Sequence, residues 1–492
     1  MATIKIESGM PEYGWFEDFY NAASLKLKTN SATKAVFEDK NGAEIVLTGS
    51  NLTYASGNIK TGAIAGVQFR DEDGHKLITV SKDSYSGKTL SDYIADGELW
   101  DLMTELTKGN DTFIGGKLGD SVGFGDNHGN DTMTGGAGGD YIAGAKGKDV
   151  LIGGDGADDW DTVSYEETYW RGDDKQGIVL NAKTGVVTDS WGDKDTIRGF
   201  EELRGSVYAD KMTGSAKDEA FMGMKGDDVI DGAGGEDTLR YHRDDKFDGH
   251  KGIVADLSKG TVKDGFGDVD TVKNIERIYG TYHNDVFIGD GRDSTFRGVS
   301  GKDSFDGKGG TDAVSFSWWE DLNQHGASID LSKSKNQISD DGYGNTETTA
   351  NIEAVEGSQF ADKITLGTSD GWAWGDDGDD RITAGVGQQW FGGGEGGDIF
   401  VFASIKALGK GEDARDYIDD FSRAEGDRIN LSGVGDLVFK GKGGFSGDDG
   451  EIRYSASGDD TLISIDTDGD KKTDLQILLG GDIALTASDF IL

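Results

Sequence analysis

The chain has 492 residues, with 49 basic against 92 acidic side chains, a net charge of -43, 80 glycines, no cysteine and a single proline, Pro11. This charge argues against nucleic acid or an anionic membrane surface as a direct partner, and the lack of cysteine excludes disulfides and thiolate metal sites. Much glycine with almost no proline favours regular backbone pairing over a disordered linker.

At the amino end, MATIKIESGMPEYGW has no basic region followed by an apolar run, so no Sec leader is expected there. No stretch approaches the roughly 20 apolar residues of a membrane span. Residues 1 to about 88 alternate apolar and polar side chains, as in SLKLK at Ser24, AEIVLTG at Ala43 and KLITVS at Lys76, which predicts a small β domain. A helix follows, with Leu99, Leu102, Met103 and Leu106 on one face and Gly109 as its stop. Placed there, it would cap the open end of whatever comes next. The first expected segment is therefore residues 1–105.

From residue 106 a nine-residue period takes over. In GGAGGDYIAGAKGKDVLIGGDGADD, residues 135–159, Asp140, Asp149 and Asp158 stand nine apart, and Ile142, Leu151 and Trp160 keep the same spacing two residues later. The unit is G-G-x-G-x-D-x-U-x, with U a large apolar residue. Its first five positions favour the tight turns that glycine permits. The Asp offers a hard carboxylate oxygen, and the last three positions make a short strand with U turned inward. One unit would form half a coil, so every second turn stacks on the same side. Calcium, which takes about six to eight oxygen ligands, suits the space between such turns. The acidic surplus then reads as a ligand supply.

Four blocks hold this register. Leu106 to Val163 places Asp111, Asp120, Asp131, Asp140, Asp149 and Asp158 at the ligand position, with one insertion at Phe124-Gly125. Gly205 to Arg240 places Asp210, Glu219, Asp228 and Asp237. Gly280 to Ser315 places Asp285, Asp303 and Asp312, with Asp293 off register or shared. Gly357 to Val401 places Asp362, Asp380 and Asp398, while Gln389 replaces the acid in one turn, where a weak or empty site is expected. Three β-rich connectors interrupt the blocks and set a longer period of about 75 residues, seen in DTVSY at Asp161, DTLRY at Asp237 and DAVSF at Asp312. Glu202, Glu276 and Glu353 recur in these connectors. Threefold recurrence favours a structural role such as pairing with turn amides over catalysis.

The motif resembles the calcium-binding nonapeptide repeat of RTX proteins. The last ninety residues resemble the carboxy-terminal region of serralysin-type secreted proteins, through GGDIFVF at Gly396, DYIDDFSRAEGDRINLSG at Asp416, the stretch from Gly450, and the terminal ALTASDFIL. Within it Asp466, Asp468, Asp470 and Asp474 alternate around Gly469 like a shortened EF-hand loop, a second style of calcium site. The resemblance covers about residues 106–492. It implies multiple Ca2+ ions, an all-β parallel β-roll solenoid with a small β amino-terminal domain, a capping helix and a β cap, and segments at 106–401 and 402–492. It further implies export by a type I secretion apparatus to an extracellular or cell-surface location.

Activity is far less legible. None of the six histidines forms H-E-x-x-H, so the resemblance stops short of a protease. Two G-x-S-x-G strings, at Ser121 and Ser369, lie inside the repeat register, where the serine is a turn or strand residue. Among the tryptophans, Trp160 and Trp372 are expected to fill the core. Trp318-Trp319 beside Glu320 and Asp321 would suit sugar stacking. On such an enzyme a Lys, Arg or Tyr could serve as base, for example Tyr241, Arg243 or Lys246 near His242. Three readings follow: a binding or scaffold protein of the cell surface or biofilm matrix, a polysaccharide-active enzyme, and a calcium-dependent self-assembling layer. A groove with convergent Trp, Arg and carboxylates would favour the enzyme; a smooth, side-chain-filled helix would favour the scaffold.

Overall fold

The computed structural model describes all residues except 1, 7–19, 123–128, 155, 157–158, 167–168, 170–175, 318–324, 335 and 413. Asp158, the Phe124-Gly125 insertion, Trp318-Trp319, Glu320 and Asp321 therefore lie outside the described residues. Two compact units emerge: Met1–Leu239 with Val269–Ile275, and Arg240–Asp268 with Glu276–Leu492.

The first unit opens with six strands: β1 (Thr3–Ile6), β2 (Lys26–Asn30), β3 (Lys34–Glu38), β4 (Glu44–Ala55), β5 (Asn58–Arg70) and β6 (Lys76–Ser86). Strands β2 to β6 form an antiparallel meander, closed by β1 against β6. Two helices follow. In α1 (Gly87–Asp96) the Ser86 side chain accepts the Thr89 N–H at the start, and Gly97, at φ +76°, ends it. In α2 (Leu99–Leu106) the expected apolar face is buried at Leu99, Leu102, Met103 and Leu106. The first repeat strand, Thr112–Ile114, takes its parallel partner from β1, with Thr3 opposite Thr112.

Beyond Thr112 the chain coils. Thr112–Ile114, Thr132–Gly136, Val150–Gly154 and Lys194–Arg198 stack in parallel on one wall; Ser121–Val122, Tyr141–Ile142, Thr162–Ser164, Glu202–Arg204 and Ala220–Met222 stack on another. Lys211 pairs with Val229, and Ala220 with Thr238. That 18-residue step confirms that two nonapeptides make one coil. Phe113, Val122, Met133, Ile142, Leu151 and Val163 face inward with no exposed surface. The core is side-chain-filled.

The connector does not leave this architecture. Val179–Asn181 and Val186–Thr188 pair as an antiparallel hairpin, while Val179–Asn181 also runs parallel to Lys211–Thr213 and Lys194–Arg198 parallel to Val150–Gly154. A connector is thus a coil widened by one hairpin.

The second unit repeats this plan. One wall stacks Arg277–Tyr279, Thr295–Arg297, Ala313–Ser315, Ala354–Glu356, Gly371–Trp374, Gln389–Gly392, Asp416–Ile418 and Leu475–Leu479 in parallel. Another stacks Ser328–Asp330, Lys363–Thr365, Arg381–Thr383, Ile399–Val401, Arg428–Asn430 and Phe490–Ile491. Glu451–Ser457, Asp460–Asp466 and Leu475–Leu479 form an antiparallel finish. The terminal Phe490 is buried in this stack.

Two tryptophan expectations fail, for one reason. Trp160 is 45% exposed, and Val163 fills the core instead, because Asp161 stacks on Asp140. Trp372 is half-buried while Ala373 points inward, one residue away. In a strand, a slip of one residue exchanges the two faces.

Candidate metal centres in the coil turns

Most coil turns are built around an acidic residue. The carboxylate turns back and accepts the backbone N–H of the equivalent residue one coil earlier. Thus Asp131 accepts from Asp111 at 2.6 Å, Asp149 from Asp131 at 2.7 Å, Asp380 from Asp362 at 2.7 Å and Asp398 from Asp380 at 2.8 Å. The result is a column of buried carboxylates, one per coil, each satisfying a turn amide with one oxygen.

The second oxygen divides the turns into two classes. In the open class, Oδ2 of Asp111, Asp131, Asp140, Asp149, Asp312, Asp380, Asp398 and Asp416 is buried with no hydrogen-bond partner among the described residues. Buried polar atoms are nearly always satisfied, so a repeated orphan calls for a missing partner. The first glycine of the turn makes room for that oxygen. A Cβ on Gly135 would lie 2.0 Å from Asp140 Oδ2, and one on Gly375 1.9 Å from Asp380 Oδ2. In the turns of Asp149, Asp312 and Asp380 the residue after this glycine is left-handed although it is not glycine: Ala145 (φ +55°), Lys308 (φ +73°) and Asp376 (φ +74°).

In the closed class a Ser or Thr stands in that second position and saturates the acid. Asp210 accepts from Ser206 N at 2.6 Å, Ser206 Oγ at 2.7 Å and Ile178 N at 2.6 Å. Asp285 does the same with Thr281 and Ile253, and Asp362 with Ser358 and Ala327. Glu219 is held by Ser215. Gln389 closes its own turn, its amide accepting from Gly385 N and donating to Ser369 O.

Burial in this charge-dense setting raises the carboxyls. It pushes Asp131 and Asp140 up to about 7, and Asp149 and Asp380 to about 8; neighbouring carboxylates add to the effect. Glu347, packed against Asp303 and buried with it, is pushed well above the usual glutamate range. Hard, anionic, water-excluded oxygens that resist carrying charge alone are the donor set a divalent oxygen-seeking cation needs. The open turns fit calcium; the closed turns already have their partners.

Several residues in these columns carried no signal at nine-residue spacing. Asp161 accepts the Asp140 N–H at 2.8 Å, Asp195 the Asp149 N–H at 2.9 Å and Asp270 the Asp228 N–H at 3.0 Å. Asp416 and Asp427 extend the columns beyond Asp398. In the third block Ser294, not Asp293, holds the column position, its N–H given to Asp312; Asp293 lies outside and accepts from Thr311. The connector glutamates also sort themselves. Glu201 accepts the Asp161 N–H and Glu353 the Asp312 N–H, so Glu201 rather than Glu202 is the counterpart of Glu353. Glu202 is instead buried against Arg204 and Trp160. Of the three glutamates expected to pair with turn amides, Glu353 does so, while Glu202 does not and Glu276 accepts from Arg292 at 3.0 Å. Asp237 accepts from Glu219 N, and Asp303 from Asp285 N. Asp120 accepts from Gly116 N at 2.5 Å and passes its own N–H to Asp140.

In the carboxy-terminal loop Asp466, Asp468 and Asp470 converge, with one oxygen of each within 4.8 Å of the others. Asp474 turns away to accept from Thr467 N and Oγ1. Of the base examples, Tyr241 and Arg243 are buried, as is the neighbouring His242, while Lys246 is exposed. Ser121 lies on a coil strand and Ser369 in a turn, as expected from their register. Among the described residues no helix is long and apolar enough to cross a membrane.

Comparison with known proteins accords with this geometry. Residues 304–492 match the peptidase M10 serralysin C-terminal family, and residues 127–159, 203–245 and 279–314 match the RTX calcium-binding nonapeptide repeat family. Two solved repeat subunits of a mannuronan C5-epimerase from Azotobacter vinelandii are similar to 28% of the chain. One is 26% identical, over 76% of its own length, with a TM-score of 0.23; the other is 23% identical, over 92%, with a TM-score of 0.22. An extracellular lipase from Serratia marcescens is 10% identical over 96% of this chain and 86% of its own, with a TM-score of 0.16. At such TM-scores these likenesses assign no activity. The chain carries calcium-binding RTX nonapeptide repeats and a serralysin-type carboxy-terminal domain, the features of a type I-secreted protein.

Proposed function

We propose that this protein crosses the envelope unfolded, folds on calcium outside the cell, and acts there as a binding or scaffold protein of the cell surface or matrix. Residues 1–105 form its amino-terminal domain and cap, 106–401 its calcium-dependent array, and 402–492 its export and closing segment. The column of buried, unpartnered carboxylate oxygens carries the switch. With little free calcium, Asp111, Asp131, Asp140, Asp149, Asp312, Asp380 and Asp398 must be protonated or repel one another. Calcium at roughly 10⁻⁴ to 10⁻³ M, the range of extracellular modules, would satisfy them and close the coils.

The test is far-UV circular dichroism of the whole chain, titrated with calcium from a chelated start. A cooperative gain of β signal in the millimolar range is expected. A chelated chain that is already fully β would remove the switch.

A second reading, a polysaccharide-active enzyme, gains support from one observation. Trp372, Trp390, Arg415, Glu412 and Asp460 converge on a single groove in the second unit. Release of reducing ends or unsaturated products from polysaccharide by the calcium-loaded protein would favour it over the scaffold.

A further inference from the structure

On the wall of coils in the second unit, Trp372 stands opposite Trp390, and Trp390 opposite Tyr417, on three successive parallel strands. Their inward neighbours Ala373, Phe391 and Ile418 are buried, so by strand alternation the three aromatic rings face outward. Trp390 is 52% exposed and packs edge-on against Tyr417, with ring centroids 4.8 Å apart. The column forms one side of an open groove of about 570 Å³. A column of large aromatics held half in water is not needed by the core, which Ala373, Phe391 and Ile418 already fill.

The opposite side is polar. Gln388 donates from its side-chain amide to the carbonyls of Glu412 at 3.0 Å and Arg415 at 3.3 Å, which fixes that loop over the aromatic column. The Arg415 guanidinium makes no ion pair with any described residue, in a chain with 92 acidic side chains. Asp370, Glu412 and Asp460 supply carboxylates around it. With three carboxylates against one arginine the groove is net negative and repels a polyanion. A neutral ligand rich in hydroxyls uses every group there, because hydroxyls donate to carboxylates, accept from guanidinium and leave an apolar ring face for indole.

From this balance we infer that the Trp372–Trp390–Tyr417 groove binds a neutral oligosaccharide, laid along the stacked strands with sugar faces on the indole rings. The inference rests on the extracellular binding role proposed above and names its ligand class.

The test uses the full chain in millimolar calcium, with folding verified by circular dichroism and binding followed by tryptophan fluorescence. The probes are cellohexaose, laminarihexaose, maltohexaose, a hexamer of mannuronate, and choline. At least one neutral hexaose is expected to bind. Trp390→Ala should weaken it about tenfold with an unchanged circular dichroism spectrum, and Trp390→Phe should retain most of the affinity. A folded protein that binds no neutral hexaose, that binds mannuronate or choline in preference, or whose Trp390→Ala variant binds as the parent does would overturn the inference and leave the calcium switch standing. A chain that fails to gain structure on calcium would strike the proposed function first.

Discussion

Replacing Asp380 by asparagine separates the two roles of a turn carboxylate. The asparagine Oδ1 can still accept the Asp362 N–H, held at 2.7 Å in the parent, while the unpartnered Oδ2 becomes an uncharged NH2. Burial raises Asp380 from 3.8 to about 8 in the ion-free fold. Folding at pH 7 without calcium therefore requires taking up a proton, at a cost of about 4 kcal/mol for some three units at 1.36 kcal/mol each. Asp380→Asn avoids that cost. In chelator the variant should be more stable than the parent, by up to about 4 kcal/mol; with calcium, a lost ligand charge should move the folding midpoint to higher calcium. Urea unfolding in chelator, paired with calcium titration by circular dichroism, reads both signs. A variant less stable in chelator, with an unchanged calcium midpoint, would refute the assignment of Asp380 as an ion-seeking carboxylate.

The pH dependence should follow the same logic. Folded-state values of about 6 to 8 against 3.8 mean that the ion-free fold binds more protons than the unfolded chain, so stability in chelator should rise as pH falls from 8 toward 5. With calcium present, acidification over that window should instead weaken ion binding; urea midpoints at several pH values show both slopes. Gly375→Ala would place a Cβ 1.9 Å from Asp380 Oδ2 and 2.3 Å from Gly393 O, and should cost about 1–3 kcal/mol in calcium, whereas Gly234→Ala, with nothing within 4 Å, should be near neutral by thermal unfolding. Ser358→Gly removes the 2.9 Å hydroxyl bond to Asp362 and with it the side chain that marks the closed class. It should destabilise the chelated protein by about 1 kcal/mol and increase the calcium dependence of folding; equal loss with and without calcium would count against the two-class division.

Local features carry the nonapeptide pattern, and so the sequence alone determines that the chain forms parallel half-coils with an inward apolar residue and an inward-bent acid. Glycine is required where Asp140 and Asp380 lean on Gly135 and Gly375, and that requirement is visible as the repeat. The open and closed classes are legible too, once the second turn residue is read: Ser206, Ser215, Thr281 and Ser358 mark the closed turns. Stacking is a different matter. Asp195 joins Asp149 across 46 residues and Asp416 joins Gln389 across 27, because a widened coil returns the chain to the same column after a length no fixed period encodes. The faces of Trp160 and Trp372 depended on register shifts of three residues and one. Trp372, Trp390 and Tyr417 lie 18 and 27 residues apart along the chain, and only the coil, bringing successive strands to neighbouring positions, makes them one surface.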